Sequence, residues 1–301
     1  MKLEQLIENK ELLPPLWIAY PEIERGSIGW RMGYGESYIC EWGPWYNSLS
    51  DDEQISYKEL FPEPITWKGY WKQYLSDDEN EYEDGEYFNK KEFYIQFWQE
   101  NGISKYSREL LQNDYLKGIN KQKYTMFWGH QPSKDGSITK SCFSQWWMSE
   151  FLYVVDRYCC MEQFMMSMKA KLFDDKEMKA KIMASRDPKQ IKAFGRKVKN
   201  FDETIWNKVK YSIVLNGNYR KFTQNVELRD FLLSTRDDIL VEASPYDAVW
   251  GIKMSADDKD AENPMKWKGE NLLGFALMEV RDEIRRVWAN ADLCKLPDKM
   301  K

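Results

Sequence analysis

The chain has 301 residues, of which 43% are hydrophobic and 31% charged, with a formal net charge of −5. That length suits one large domain or two ordinary ones, and no apolar run approaches the ~18 residues of a membrane span. A net acidic chain argues against a broad basic face for nucleic acid and leaves only a local basic groove. Five cysteines without CxxC spacing and a single histidine, His130, offer neither a zinc framework nor a histidine-based triad. No metal and no cofactor is therefore expected. The odd cysteine count, together with a charged amphipathic N-terminus lacking a signal-peptide core, predicts a cytoplasmic protein with no membrane association.

Residues 1–76 carry dense turn punctuation: Pro14–Pro15, Pro21, Gly43–Pro44 and Phe61–Pro64. Helical pieces are predicted at 2–13 and 51–60, the second capped by Ser50–Asp51. The Gly29–Glu36 stretch reads as a tight turn requiring positive φ, with a phosphate-contacting loop as the alternative. Trp17, Trp30, Trp42, Trp45, Trp67 and Trp71 crowd this segment and predict a compact aromatic core; the competing reading is a surface for stacking bases. An acidic loop, Asp77–Glu86, and helices over Phe88–Glu100 and Ser107–Leu116 complete a small aromatic-rich α+β accessory domain, 1–120.

From Lys123 the pattern is mainly α with a few short strands. Tyr124–Trp128 reads as a strand, and Phe143–Tyr153 as a hairpin or two short strands. Helices are predicted over Met161–Phe173, Asp175–Ser185, from the Asp187–Pro188 cap to Gly195, Glu203–Leu215 with Gly217–Asn218 as its stop, and Asn225–Ser234. Ile239–Ala243 is a β-branched strand, and Asn271 caps a long amphipathic helix through Trp288. Gly274 within that helix predicts a close backbone approach to another element or a ligand.

At about 100° per residue, Glu162, Met165, Met166, Lys169 and Phe173 share one stripe of the Met161–Phe173 helix, while Lys171 points away. A charge on a core-facing stripe is costly unless paired or used. Burial would lower the Lys169 pKa and free a nucleophilic amine. From spacing alone a structural Glu–Lys pair is the plainer reading. Glu242 in its hydrophobic strand and Asp247 in the following loop add carboxylates that would suit cleavage at an anomeric carbon.

The ordered motifs FWGH (127–130), FSQWW (143–147), EQFMMSMKAKLFDD (162–175), IKAFGRKV (191–198), KFTQN (221–225), LVEASPYDAVWGI (240–252) and KWKGENLLGFALMEVR (266–281) resemble the NADAR family over about 123–287. The resemblance implies a compact YbiA-like helical domain at 121–301 and N-glycosidase activity at ribose linkages. It implies Lys169 as covalent catalyst, with Glu162 and Asp247 as acid/base or sugar-orienting groups. Phe127, Trp128, Gly129, Ser144 and Trp146 would wall the pocket, with core packing the competing role for the aromatics. Arg196, matched together with Trp206, would pair a pyrophosphate or serve a structural ion pair, and Glu242 is a further substrate-binding candidate. Trp250 and Gly251 would border the ribose, and Asn271 with Gly274 would present helix-start N–H groups to a phosphate.

Gln163, where YbiA-like members tend to have histidine, points to the branch that removes ADP-ribose from guanine in nucleic acid. The implied partners are an ADP-ribose-containing substrate, ADP-ribosylated DNA or RNA, and a cognate ADP-ribosyltransferase toxin. Alternatives are an N-glycosidase of free nucleotides or riboflavin-pathway intermediates, and a non-catalytic ADP-ribose or NAD-binding module. For residues 1–120 a substrate-gripping role is expected.

Overall fold

The computed structural model describes residues 3–73, 105–119 and 123–297, so the acidic run 77–86 and the helix expected over 88–100 lie outside the described residues. The chain forms two compact units, 1–83 with 152–156 and 282–301, and 84–151 with 157–281. These bounds differ from a division at residue 120. Among the described residues no helix is long and apolar enough to cross a membrane.

The first unit carries α1 (Leu3–Glu8), α2 (Leu16–Ala19), α3 (Gly33–Asn47), α4 (Asp51–Leu60) and α5 (Tyr70–Gln73). Ser50 starts α4 through a reciprocal capping box with Glu53, satisfying two otherwise orphaned donors. The tryptophans build the core: Trp17 lies 5.2–5.5 Å from the rings of Trp67, Tyr70 and Trp71, and Trp42 stacks on Tyr46 at 4.9 Å. Buried aromatic tips need partners, and Tyr57 donates to the Leu13 carbonyl while Trp42 donates to the Tyr57 hydroxyl. Gly33 has the positive φ expected of the Gly29–Glu36 turn, at +71°. Pro44, expected to mark a turn, lies inside α3. Burial of Trp42 and Tyr46 on either side of it outweighs the local signal.

The second unit begins before residue 120, with α6 (Arg108–Leu116). Arg108 donates to the Trp267 carbonyl at 2.6 Å and Gln112 to the Pro264 carbonyl at 2.9 Å, which ties α6 to the rest of the unit. There β1 (Tyr124–Phe127) pairs in parallel with β4 (Ile239–Glu242), with Tyr124 opposite Ile239 and Phe127 opposite Glu242. Parallel pairing requires a crossover, and here the crossover contains the helical layer. That layer is α7 (Met161–Leu172), α8 (Lys176–Ala184), α9 (Pro188–Gly195), α10 (Glu203–Thr223) and α11 (Val226–Ser234). Short strands β2 (Phe151–Tyr153) and β3 (Asp156–Tyr158) precede α7. Asp187 and Asp202 cap α9 and α10, and Asp175, expected as the first residue of its helix, is the cap of α8. α7 is the central element: every residue except Lys169 and Lys171 is buried, and it packs against α8, α9 and α10. Lys171 faces solvent.

Two expectations are corrected. Gly217–Asn218 does not stop a helix; α10 runs on to Thr223. A Cβ at Gly217 would sit 2.5 Å from Phe164 Cδ1 and 2.6 Å from Met161 Cε, so the glycine admits α7 rather than breaking α10. Nor does Asn271 cap α12 (Leu272–Val287) with its side chain. Fully buried at φ +55°, it accepts from Glu242 N at 2.9 Å and donates to Leu240 O at 3.0 Å, splinting β4.

Gly274 serves the same junction, because a Cβ there would collide with the Leu240 carbonyl oxygen. Gly→Ala in an open helix stabilises by about 1 kcal/mol. For Gly274→Ala the opposite sign is expected, a loss of about 2 kcal/mol from overpacking against backbone, seen as a lower urea midpoint.

Candidate active site

One cavity of about 840 Å3 opens in the second unit, at the C-terminal edge of the β1–β4 pair and over α7, α9 and the first turns of α10. It gathers Glu162 and Lys169 from α7, Glu242 from the end of β4, and Asp247 with Trp250 from the next loop. Trp128, Gly129, Ser144 and Trp146 supply another wall, and Arg196 and Trp206 a third. Ligands commonly bind beyond the carboxyl ends of parallel strands, where chains diverge.

Glu162 is 2% exposed, and its Oε1 has no hydrogen-bond partner. Its backbone N–H donates to the Gln145 carbonyl at 2.8 Å, which fixes the carboxyl-bearing turn of α7 against the wall that carries Trp146. Burial pushes the Glu162 carboxyl up to about 7, offset in part by Lys192, the Trp146 indole and Arg196. Glu242 is part-exposed as a residue, but its Oε2 is enclosed and without a hydrogen-bond partner. Burial first, then the charges of Asp247 and Glu162, raise it to about 8, against Lys192. Asp247 is held differently: its Oδ1 accepts from the N–H groups of Val249 and Trp250, both at 2.8 Å.

The Lys169 amine lies 3.9 Å from the Phe201 ring centroid and 5.6 Å from that of Trp206. Burial lowers its pKa, and the field of Glu162 opposes that shift. The two groups therefore sense each other, yet Glu162 retains a buried oxygen with no partner. Lys192 and Lys210 also line the cavity, and burial lowers the Lys210 pKa. Lys192 lies within the IKAFGRKV motif without being marked there as a site residue, and Lys210 lies in none of the motifs. Among the described residues no group of three or more His, Cys, Asp or Glu side chains is arranged to hold a metal ion.

Four expected site residues stand outside the cavity lining. Phe127 is 1% exposed and packs edge-on against Phe143 at 5.4 Å. Gly251 is buried in a loop, where an added Cβ would meet the Glu242 carbonyl oxygen at 2.7 Å. Asn271 and Gly274 are committed to β4, so the start of α12 is shaped by packing and not by an open phosphate cradle. Gln163 is likewise structural, accepting from Cys159 N and donating to the carbonyls of Ile182, Met183 and Ser185.

The motif KFTQN hides a further buried cation. Lys221 is fully buried and donates to the carbonyls of Cys142 and Ser144. Burial lowers its pKa to about 8. It anchors the turn that presents Ser144 and Trp146 to the cavity. It sits between Arg220 and Phe222 in a run of α10 that is buried from Ser212 to Thr223.

The raised carboxyls make stability depend on pH. The unfolded chain releases these protons near 4.5, whereas the fold holds them to about 7 and 8. Their stabilising contribution is full below pH 4.5 and is lost as pH rises through the folded values. Every tenfold difference in proton affinity between the two states corresponds to about 1.4 kcal/mol. Between pH 5.5 and 8.5, the urea midpoint of a Glu162→Gln/Glu242→Gln protein should fall less than that of the unmodified chain.

The family model of the NADAR domain matches residues 126–285. "N-glycosidase R617" of Acanthamoeba polyphaga mimivirus is 41% identical over 166 residues, covering 54% of this chain and 96% of that protein. "Protein irg-1" of Caenorhabditis elegans is 34% identical, covering 42% of this chain and 61% of that one. "N-glycosidase YbiA" of Shigella boydii is 32% identical, covering 38% and 65%. The chain thus spans nearly all of the viral protein but less than two thirds of the other two. With the family model covering more than half of its length, the chain belongs to the NADAR family.

Proposed function

We propose that the chain is an N-glycosidase that hydrolyses the ribose linkage of ADP-ribosylated guanine in nucleic acid. The names of the viral and Shigella relatives support N-glycosidase activity in general. The observation that carries the reading is the convergence of Lys169, Glu162, Glu242 and Asp247 on one cavity. Its volume, about 840 Å3, is toward the upper end of the roughly 300–1,000 Å3 usual for small-molecule sites. Lys192, Arg196 and Lys210 supply positive charge suited to a diphosphate.

In the proposed reaction the neutral Lys169 amine attacks the anomeric carbon while the bond to the guanine nitrogen breaks. Glu162, which burial keeps protonated near neutrality, gives its proton to the departing base. The lysine nitrogen loses a proton to a carboxylate, and the ribose ring opens to a Schiff base. Water adds to that carbon, the carbon–nitrogen bond to Lys169 breaks, and the sugar leaves as its aldehyde, closing to the hemiacetal. Asp247 orients the ribose or the water from the opposite loop.

The test is incubation with guanine-ADP-ribosylated oligonucleotide, in parallel with ADP-ribosylated free nucleotide. Release of free ADP-ribose and recovery of the unmodified strand are expected. Turnover of the free nucleotide alone would assign the cavity to metabolites. Tight ADP-ribose binding without any turnover would make the chain a binding module.

A further inference from the structure

Trp128 and Tyr246 form a pair that packing alone does not account for. Trp128 follows the last residue of β1, and Tyr246 lies four residues past the end of β4. Because Phe127 is opposite Glu242 and Ala243 N–H donates to the Phe127 carbonyl, both chains leave the sheet at the same edge. The two rings meet there, centroids 6.2 Å apart and planes tilted 54°. Yet Trp128 is 55% exposed and Tyr246 82% exposed. Both rings line the cavity mouth, beside the carboxyl-bearing residues Glu242 and Asp247.

The pair is held by backbone geometry. Gly129, at φ +83°, turns the chain directly after Trp128. The Ser244 hydroxyl accepts from the N–H groups of Tyr246 and Asp247. Two large rings, carried on a restrained backbone but left mostly in water, present flat apolar faces beside a charged cavity. Flat π faces bind bases with little regard to sequence, and they supply affinity without a broad basic surface. That matches a chain whose net charge is −5. At 6.2 Å and 54° there is no parallel slot between the rings, so a base would lie against their exposed faces.

We infer that the Trp128–Tyr246 pair is a stacking platform for a nucleobase of single-stranded nucleic acid, held at the mouth while the ADP-ribosyl group enters the cavity. The inference rests on the proposed substrate class and adds to it a requirement for an unpaired base, since a base in a duplex has no free face.

The test measures binding of the full chain to a labelled, unmodified single-stranded oligonucleotide of about twelve nucleotides, and separately to ADP-ribose. Tyr246→Leu and Trp128→Leu are each expected to weaken oligonucleotide binding by roughly ten-fold, the usual size of a lost base–aromatic stack. Tyr246→Phe, which keeps the ring, should restore it. In Tyr246→Leu, where the ring lost is 82% exposed, ADP-ribose affinity should change less than about two-fold, since stacking of the strand is the interaction removed. Unchanged oligonucleotide binding in the Trp128→Leu/Tyr246→Leu protein would overturn the platform. So would absence of oligonucleotide binding by the unmodified chain, an equal loss of ADP-ribose affinity in Tyr246→Leu, or equal affinity for duplex and single strand. Because binding is read without turnover, a chain that binds single strands through these rings but releases no ADP-ribose would refute the hydrolase reading while leaving the platform standing.

Discussion

Lys169→Ala protein should lose roughly three orders of magnitude in turnover of the guanine-ADP-ribosylated strand, about 4 kcal/mol of barrier. ADP-ribose binding should change only a few-fold, because the amine contacts aromatic rings and senses Glu162 without closing an ion pair with it. Lys169→Arg should not rescue, since a guanidinium keeps its proton and cannot attack carbon. Borohydride added during turnover should fix the sugar to the unmodified protein and not to Lys169→Ala, a difference mass spectrometry reads directly. Release of ADP-ribose by Lys169→Ala at the unmodified rate would remove the lysine from the chemistry.

The second large effect concerns stability. Asn271 occupies a left-handed conformation at φ +55° and is fully buried between two backbone groups of β4. Leucine is close in size but supplies neither bond and tolerates that conformation poorly, at about 1 kcal/mol. The Glu242 N–H and Leu240 carbonyl would be left without this partner, each costing on the order of 1–3 kcal/mol when buried. Asn271→Leu should therefore destabilise by about 3–5 kcal/mol in urea unfolding. Asn271→Asp, which keeps the acceptor but not the donor, should fall between. Activity should drop as well, since β4 delivers Glu242.

Much of this architecture is legible in local chemistry. Asp175, Asp187 and Asp202 mark helix starts because each carboxylate bonds N–H groups within its own first turn. The stripe of Glu162 and Lys169 is legible because helical period fixes direction. What local reading misses depends on partners distant in sequence. Gly217 resembles a helix stop until Phe164 and Met161 are placed against it. Asn271 and Gly274 resemble a ligand-binding helix start, but the oxygen they meet belongs to Leu240. Lys192 and Lys210 acquire their setting only when α9 and α10 come together over α7.

Two glycines give that last arrangement a mechanical meaning. On α9, a Cβ at Gly195 would collide with Met166; on α10, one at Gly217 would collide with Phe164 and Met161. α7 is thus seated against main chain on two sides, and close-packed interiors resist compression. Side-chain contacts can slide among rotamers, but a backbone seat has no such slack. The depth at which Glu162 and Lys169 project into the cavity is consequently set by two missing methyl groups.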